Sequence, residues 1–118
     1  MGILRGTADT IEVNVITKIT EDLGKVHNLK FKVKFKTRGY DDAQSLIRDM
    51  NDPDSDVTEA TIIEADILDW RDLKGDGGDV EFDEENLDAA LQQPEYRAAL
   101  FTAWGDAQLR RLMVKSKN

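Results

Sequence analysis

The sequence predicts an α+β fold: an N-terminal antiparallel β-hairpin followed by about four helices packed on one face. Three observations predict it. Residues 11–37 hold two runs in which apolar and polar side chains alternate. From residue 40 onward the apolar spacing changes to three and four. Pro, Gly and Asp clusters cut that second region into helix-sized pieces. The chain has 118 residues, 40% hydrophobic and 34% charged, which is enough for a single domain with one modest core. At this size only about two-thirds of the extended-chain surface can be buried, which leaves room for stabilisation by self-association or a partner.

Residues 1–10 read as a loose, flexible arm. Ile11, Val13, Val15, Thr17 and Ile19 then share one face of a strand. After Glu21-Asp22-Leu23-Gly24-Lys25 the alternation resumes, with Leu29, Phe31, Val33 and Phe35 on one face and Lys30, Lys32, Lys34 and Lys36 on the other. A turn centred on Leu23 sets Val13 against Val33, Val15 against Phe31, Ile11 against Phe35 and Glu12 against Lys34. Apolar and opposite-charge pairs thus agree on one register. The aromatics lie on the face opposite the lysines, so the lysine row lacks the stacking partners of a nucleic-acid platform. It reads as an outer face that resists strand-to-strand aggregation.

Gly39 ends the hairpin, and residues 40–118 read as mainly helical. Asp41 is placed to cap a helix with Ala43, Leu46, Ile47 and Met50 on one stripe, which stops at Asn51-Asp52-Pro53. Asp56 and Glu59 have the spacing of a capping box. The segment 57–69 has Ala60, Ile63, Ile67 and Trp70 at helical spacing, while its Thr61-Ile62-Ile63 also suits a strand; both readings stay open. Residues 74–79, with three glycines, form a turn, and Val80-Glu81-Phe82 reads as a very short strand. Asp83 caps a short helix carrying Leu87, Ala90 and Leu91. Pro94 opens a last helix to about residue 114, roughly 30 Å long. Its stretch from Ala98 to Trp104 is apolar nearly all round, which usually means burial on more than one side, and another subunit is one source of the second side.

Charge and composition exclude several classes. There is no cysteine, so disulfides, thiolate zinc sites and cysteine nucleophiles are ruled out. No apolar run approaches the roughly 20 residues that span a bilayer, and residues 1–10 have no apolar core of a secretory signal, which suits a cytosolic protein. The net charge of −8 is uneven: residues 39–95 hold three Lys/Arg against nineteen Asp/Glu, residues 1–38 eight against four, and residues 96–118 five against one. Such an acidic middle disfavours nucleic acid and membrane surfaces as partners. The acidic run reads first as a solvated surface, and basic ends around an acidic middle are also compatible with head-to-tail contact between copies.

Candidate chemistry is sparse. His27 is the only histidine and reads as a hairpin residue. Asp52, Asp54 and Asp56 have the odd spacing of a calcium loop, but Val57 and Ile63 stand where Gly and a carboxylate are needed, and a loop begun at Asp72 places Lys74 at a ligand position. Gly75, Gly77 and Gly78 lack the Gly-Lys-Ser/Thr of a phosphate loop. No catalytic, cofactor or metal residues are expected, and the chain reads as a non-enzyme. The large apolar side chains Trp70, Leu73, Phe82, Leu100, Phe101 and Trp104 read either as core or as anchors of a partner or self-association surface.

The order of motifs adds a further expectation. Ile67-Leu68-Asp69-Trp70-Arg71-Asp72-Leu73 precedes the Gly/Asp turn, and Val80-Glu81-Phe82-Asp83-Glu84-Glu85-Asn86-Leu87 follows it. Then come a short helix, Pro94, an alanine-rich helix and Lys115-Ser116-Lys117-Asn118. This set resembles the tail assembly chaperones of long-tailed bacteriophages over residues 57–118, and only loosely over the hairpin. In that family an apolar helix ends at a Trp-x-x-Leu/Val element. An acidic glycine turn then leads into Val/Pro-x-Phe-Ser/Asp-x-Glu-Asn-Leu, and the chain closes in a helix and a basic tail ending in Asn. Here the turn has an extra Gly78, and position 83 is Asp83 rather than the commoner Ser.

The resemblance implies a non-enzymatic protein that self-associates, coats the tape measure protein and helps recruit tail-tube subunits. It also implies action in the host cytoplasm, absence from the mature virion and, often, a second form made by ribosomal frameshifting. No catalytic residue carries over. The acidic middle supports a rival reading, an acidic inhibitor or nucleic-acid mimic that binds a basic host enzyme. A structural tail component is a further one.

Overall fold

The computed structural model describes residues 9–21 and 23–116, with side chains described as far as Gln108. Residues 1–8 of the expected arm lie outside the described residues. Strand β1 (Thr10–Thr20) pairs antiparallel with β2 (Val26–Lys36), and every expected pair forms: Val13 with Val33, Val15 with Phe31, Ile11 with Phe35, Glu12 with Lys34. The Gly24 N–H donates to the Glu21 carbonyl at 2.8 Å, and Gly24 has φ +80°, a left-handed conformation that glycine adopts without a Cβ penalty. His27 is indeed a hairpin residue, its Nε2 2.8 Å from Glu21 Oε1. Strand β1 starts one residue earlier than expected, because the Thr37 N–H donates to the Asp9 carbonyl and extends the pairing.

Four helices follow: α1 (Tyr40–Met50), α2 (Glu59–Asp66), α3 (Glu84–Leu91) and α4 (Pro94–Ser116). Helix α1 has its N-cap at Gly39 with no side-chain cap, so Asp41 does not cap it. Asp41 and Asp42 sit instead in the first turn, where carboxylates favour the positive end of the helix dipole. The expected Asp56/Glu59 capping box is also displaced. Thr58 Oγ1 accepts the Thr61 N–H at 3.2 Å and Thr61 Oγ1 accepts the Thr58 N–H at 2.8 Å, which leaves Glu59 as the first helical residue. Asp83 caps α3 as expected, accepting the Asn86 N–H at 2.7 Å.

Over residues 57–69, Thr61-Ile62-Ile63, which suited a strand, are helical, while Ile67 and Trp70, which had helical spacing, lie on a strand. Helix α2 ends at Asp66, and Ile67 turns to extended backbone to begin β3 (Ile67–Arg71), which pairs antiparallel with β2. Phe35 pairs with Ile67 and Lys34 with Asp69, so Leu68 is the extra residue of a bulge. The bulge is why Ile67 and Trp70, three apart, both point into the core. Spacing of three on a bulged strand imitates a helix. The 74–79 turn contains a two-residue ladder, β4 (Lys74–Gly75) with β5 (Gly78–Asp79). Val80-Glu81-Phe82 is not a strand, because its backbone is committed elsewhere: the Val80 N–H donates to the Leu73 carbonyl at 2.8 Å, and the Val80 carbonyl accepts from the Trp70 indole at 2.9 Å.

The sheet order is β1-β2-β3, and one face is covered. Val13, Val15, Phe31, Val33 and Phe35 from the sheet meet Ile62, Ile63, Leu91, Leu100, Ala103 and Trp104 from the helices in one continuous core. Each Val, Ile, Leu or Phe among them contributes about 1.5–3 kcal/mol relative to staying exposed. Helix α4 lies along β1 and also packs on α2 and α3. Among the described residues no helix is long and apolar enough to cross a membrane.

The opposite sheet face carries the lysines, interleaved with acids. Arg71 on β3 reaches diagonally over β2 to grip Glu12 on β1, with Nε–Oε2 at 3.0 Å and Nη2–Oε1 at 2.7 Å. The Arg71 hydrogen bond, reinforced by the charges of Arg71, Lys32 and Lys34, holds the Glu12 carboxyl below its ordinary value of 4.5. A carboxylate stabilised in the folded state contributes above its unfolded pKa and loses that contribution as pH falls through the folded one. Glu12→Gln should therefore lower the unfolding midpoint slightly at neutral pH and have no effect in strong acid. The pair is exposed, so the difference should also shrink with salt in a denaturation series.

Candidate functional site

The six large apolar residues do not form one surface. Trp70, Leu73, Leu100 and Trp104 are buried in the core. Phe82 and Phe101 are half-buried, packed against that core from its edge. Phe82 meets Trp70 edge-on with centroids 4.9 Å apart, and Phe101 stacks on Trp104 at 5.6 Å. In the folded monomer only these two phenylalanines keep area that a partner can touch.

A polar node sits where β2, α2 and α4 meet. Asp66 is 0% exposed, and both carboxylate oxygens are engaged. Arg38 donates to it from Nε at 2.5 Å and from Nη2 at 2.7 Å, and the Trp104 indole N–H donates at 2.7 Å. Gln108, also buried, accepts the Arg38 backbone N–H at 2.8 Å and donates to the Lys36 carbonyl at 3.2 Å. The bond to Asp66 pushes the Arg38 guanidinium further toward its charged form. A carboxylate whose oxygens are filled this way is a clamp between elements and not an open acid or base. Sequence reasoning passed over Arg38, Asp66 and Gln108. The available signal was Asp66 itself, four residues after Ile62 and three after Ile63 on the apolar stripe of its helix.

Two surface grooves are formed by described residues. The first, about 750 Å³, lies between α2 and the start of α3. Ile67, Phe82 and Leu87 supply apolar lining, and Glu64, Glu84, Glu85 and Asp88 supply carboxylates around it. The second, about 440 Å³, runs beside residues 14–18 of β1 and is closed on its far side by Ala98, Ala99, Thr102 and Ala103 of α4. Strand β1 is the edge of its sheet, and Ile16 beside the groove is 73% exposed. Among the described residues no three His, Asp or Glu side chains converge in a way that could hold a metal ion. These surfaces present an edge strand, small apolar side chains and carboxylates.

No protein-family model, no curated protein and no solved structure matches the chain.

Proposed function

We propose that this protein is a non-enzymatic tail assembly chaperone that coats a tape measure protein in the host cytoplasm during phage tail morphogenesis. In this reading it helps recruit tail-tube subunits and is missing from the mature virion. The observation that supports the reading most is the open edge of β1 beside the small-residue row of α4. An edge strand offers unpaired backbone groups to an extended segment, and the shallow wall of Ala98, Ala99 and Thr102 admits varied apolar side chains. That combination suits a client that is long, apolar and non-uniform in sequence. The motif order from Trp70 to Asn118 supports the same reading.

Co-expression with the tape measure protein of its own genome should yield a complex that survives high salt. Ala98→Glu with Thr102→Glu, two exposed positions on the groove wall, should abolish capture without lowering thermal stability. Absence of any complex with wild-type protein would overturn the proposal. The carboxylates around the α2–α3 groove favour a second reading, an acidic inhibitor of a basic enzyme. Its complex should instead dissociate steeply as salt rises.

A further inference from the structure

The α2–α3 groove and the last turns of α4 have complementary chemistry. The groove joins an apolar lining to the carboxylates of Glu64, Glu84, Glu85 and Asp88. Among the described residues none of the four is ion-paired to a basic side chain. Residues 109–118 hold Arg110, Arg111, Lys115 and Lys117 and no acid. The α4 backbone remains helical to Ser116. Leu109, Leu112 and Met113 recur in the sequence at i, i+3 and i+4, the spacing of a helix that lays one apolar face into a groove.

We propose that the end of α4 from one copy docks in the α2–α3 groove of a second copy. The apolar residues of the segment meet Ile67, Phe82 and Leu87, and its cations meet the surrounding carboxylates. Groove and ligand lie at different places on one chain, so the contact is head-to-tail and propagates into a ring or a filament. The assignment rests on charge and apolar spacing and is independent of the chaperone reading. The β1 edge takes no part in this contact.

Sedimentation velocity on the full chain should show species that grow with concentration and shrink as salt rises. Arg110→Glu with Arg111→Glu, and separately Glu64→Lys with Asp88→Lys, should each raise the apparent dissociation constant at least about tenfold. Mixing the two defective proteins should restore a complex, because the intact groove of the first accepts the intact segment of the second. Circular dichroism and the melting midpoint check that each variant is folded. As a measurement that needs no variant, a labelled peptide of residues 109–118 should bind the wild-type chain, and a scrambled peptide of the same composition should bind far more weakly. A chain that stays monomeric throughout, a mixture that stays monomeric, or equal binding of the scrambled peptide would each overturn the proposal; the last would assign the groove to basic partners in general.

Discussion

Asp66→Ala should destabilise the fold by about 3–5 kcal/mol, a large part of the stability of a small domain. The substitution removes the carboxylate that receives two bonds from Arg38 and one from the Trp104 indole. It takes the bidentate carboxylate from a guanidinium that is only 21% exposed, and it leaves an indole N–H without this acceptor. Deleting one partner of a desolvated ion pair costs more than the intact pair contributes, which is why removal of the enclosed carboxylate is the severe case. Asp66→Asn keeps the volume and one acceptor and should lose less. Trp104→Phe removes the indole N–H together with part of a buried ring, and should cost about 1.5–3 kcal/mol for the hydrogen bond to a charged group plus the cost of the cavity it leaves. Urea denaturation at constant m-value reads all three. In a double-mutant cycle Asp66→Ala and Trp104→Phe should be clearly non-additive, since they cut the same bond. Strict additivity would show that the two side chains do not act together.

The node also explains what could and could not be read from the residues. The hairpin register was fully legible, because alternation, turn and cross-strand charge all depend on residues close in sequence. The helix caps were less so. Asp41 and Asp56 are good capping residues beside sites taken by Gly39 and Thr58, and the choice is made by where each helix must begin to reach the core. Strand β3 was illegible for a definite reason: the Leu68 bulge turns a period of two into a spacing of three. The acidic groove was visible as an excess of charge but not as a place, since it is assembled from residues 64–67 and 82–88. Asp66 was lost among nineteen acids for the same reason. Count and spacing alone do not say which carboxylate is enclosed.

Trp70→Ala should also cost about 3–5 kcal/mol, and it decides what the Trp-x-x-Leu element contributes. Trp70 lies opposite Val33 in the sheet, meets Phe82 edge-on and donates its indole N–H to the Val80 carbonyl at 2.9 Å. Leu73, three residues on, is buried and accepts the Val80 N–H. Tryptophan and leucine together therefore tie the glycine turn back onto the sheet and set where Phe82 and the acidic helix α3 begin. On this account the element acts through the fold. The alanine variant should show a much lower melting midpoint and, under the chaperone proposal, still capture the tape measure protein at temperatures where it remains folded. Trp70→Phe keeps most of the packing and loses the N–H, so it should cost about 1 kcal/mol. If the residue were instead a docking anchor, the alanine variant would melt like the wild type and lose its partner. A stable, binding-dead Trp70→Ala protein would move this element from the core to the interface.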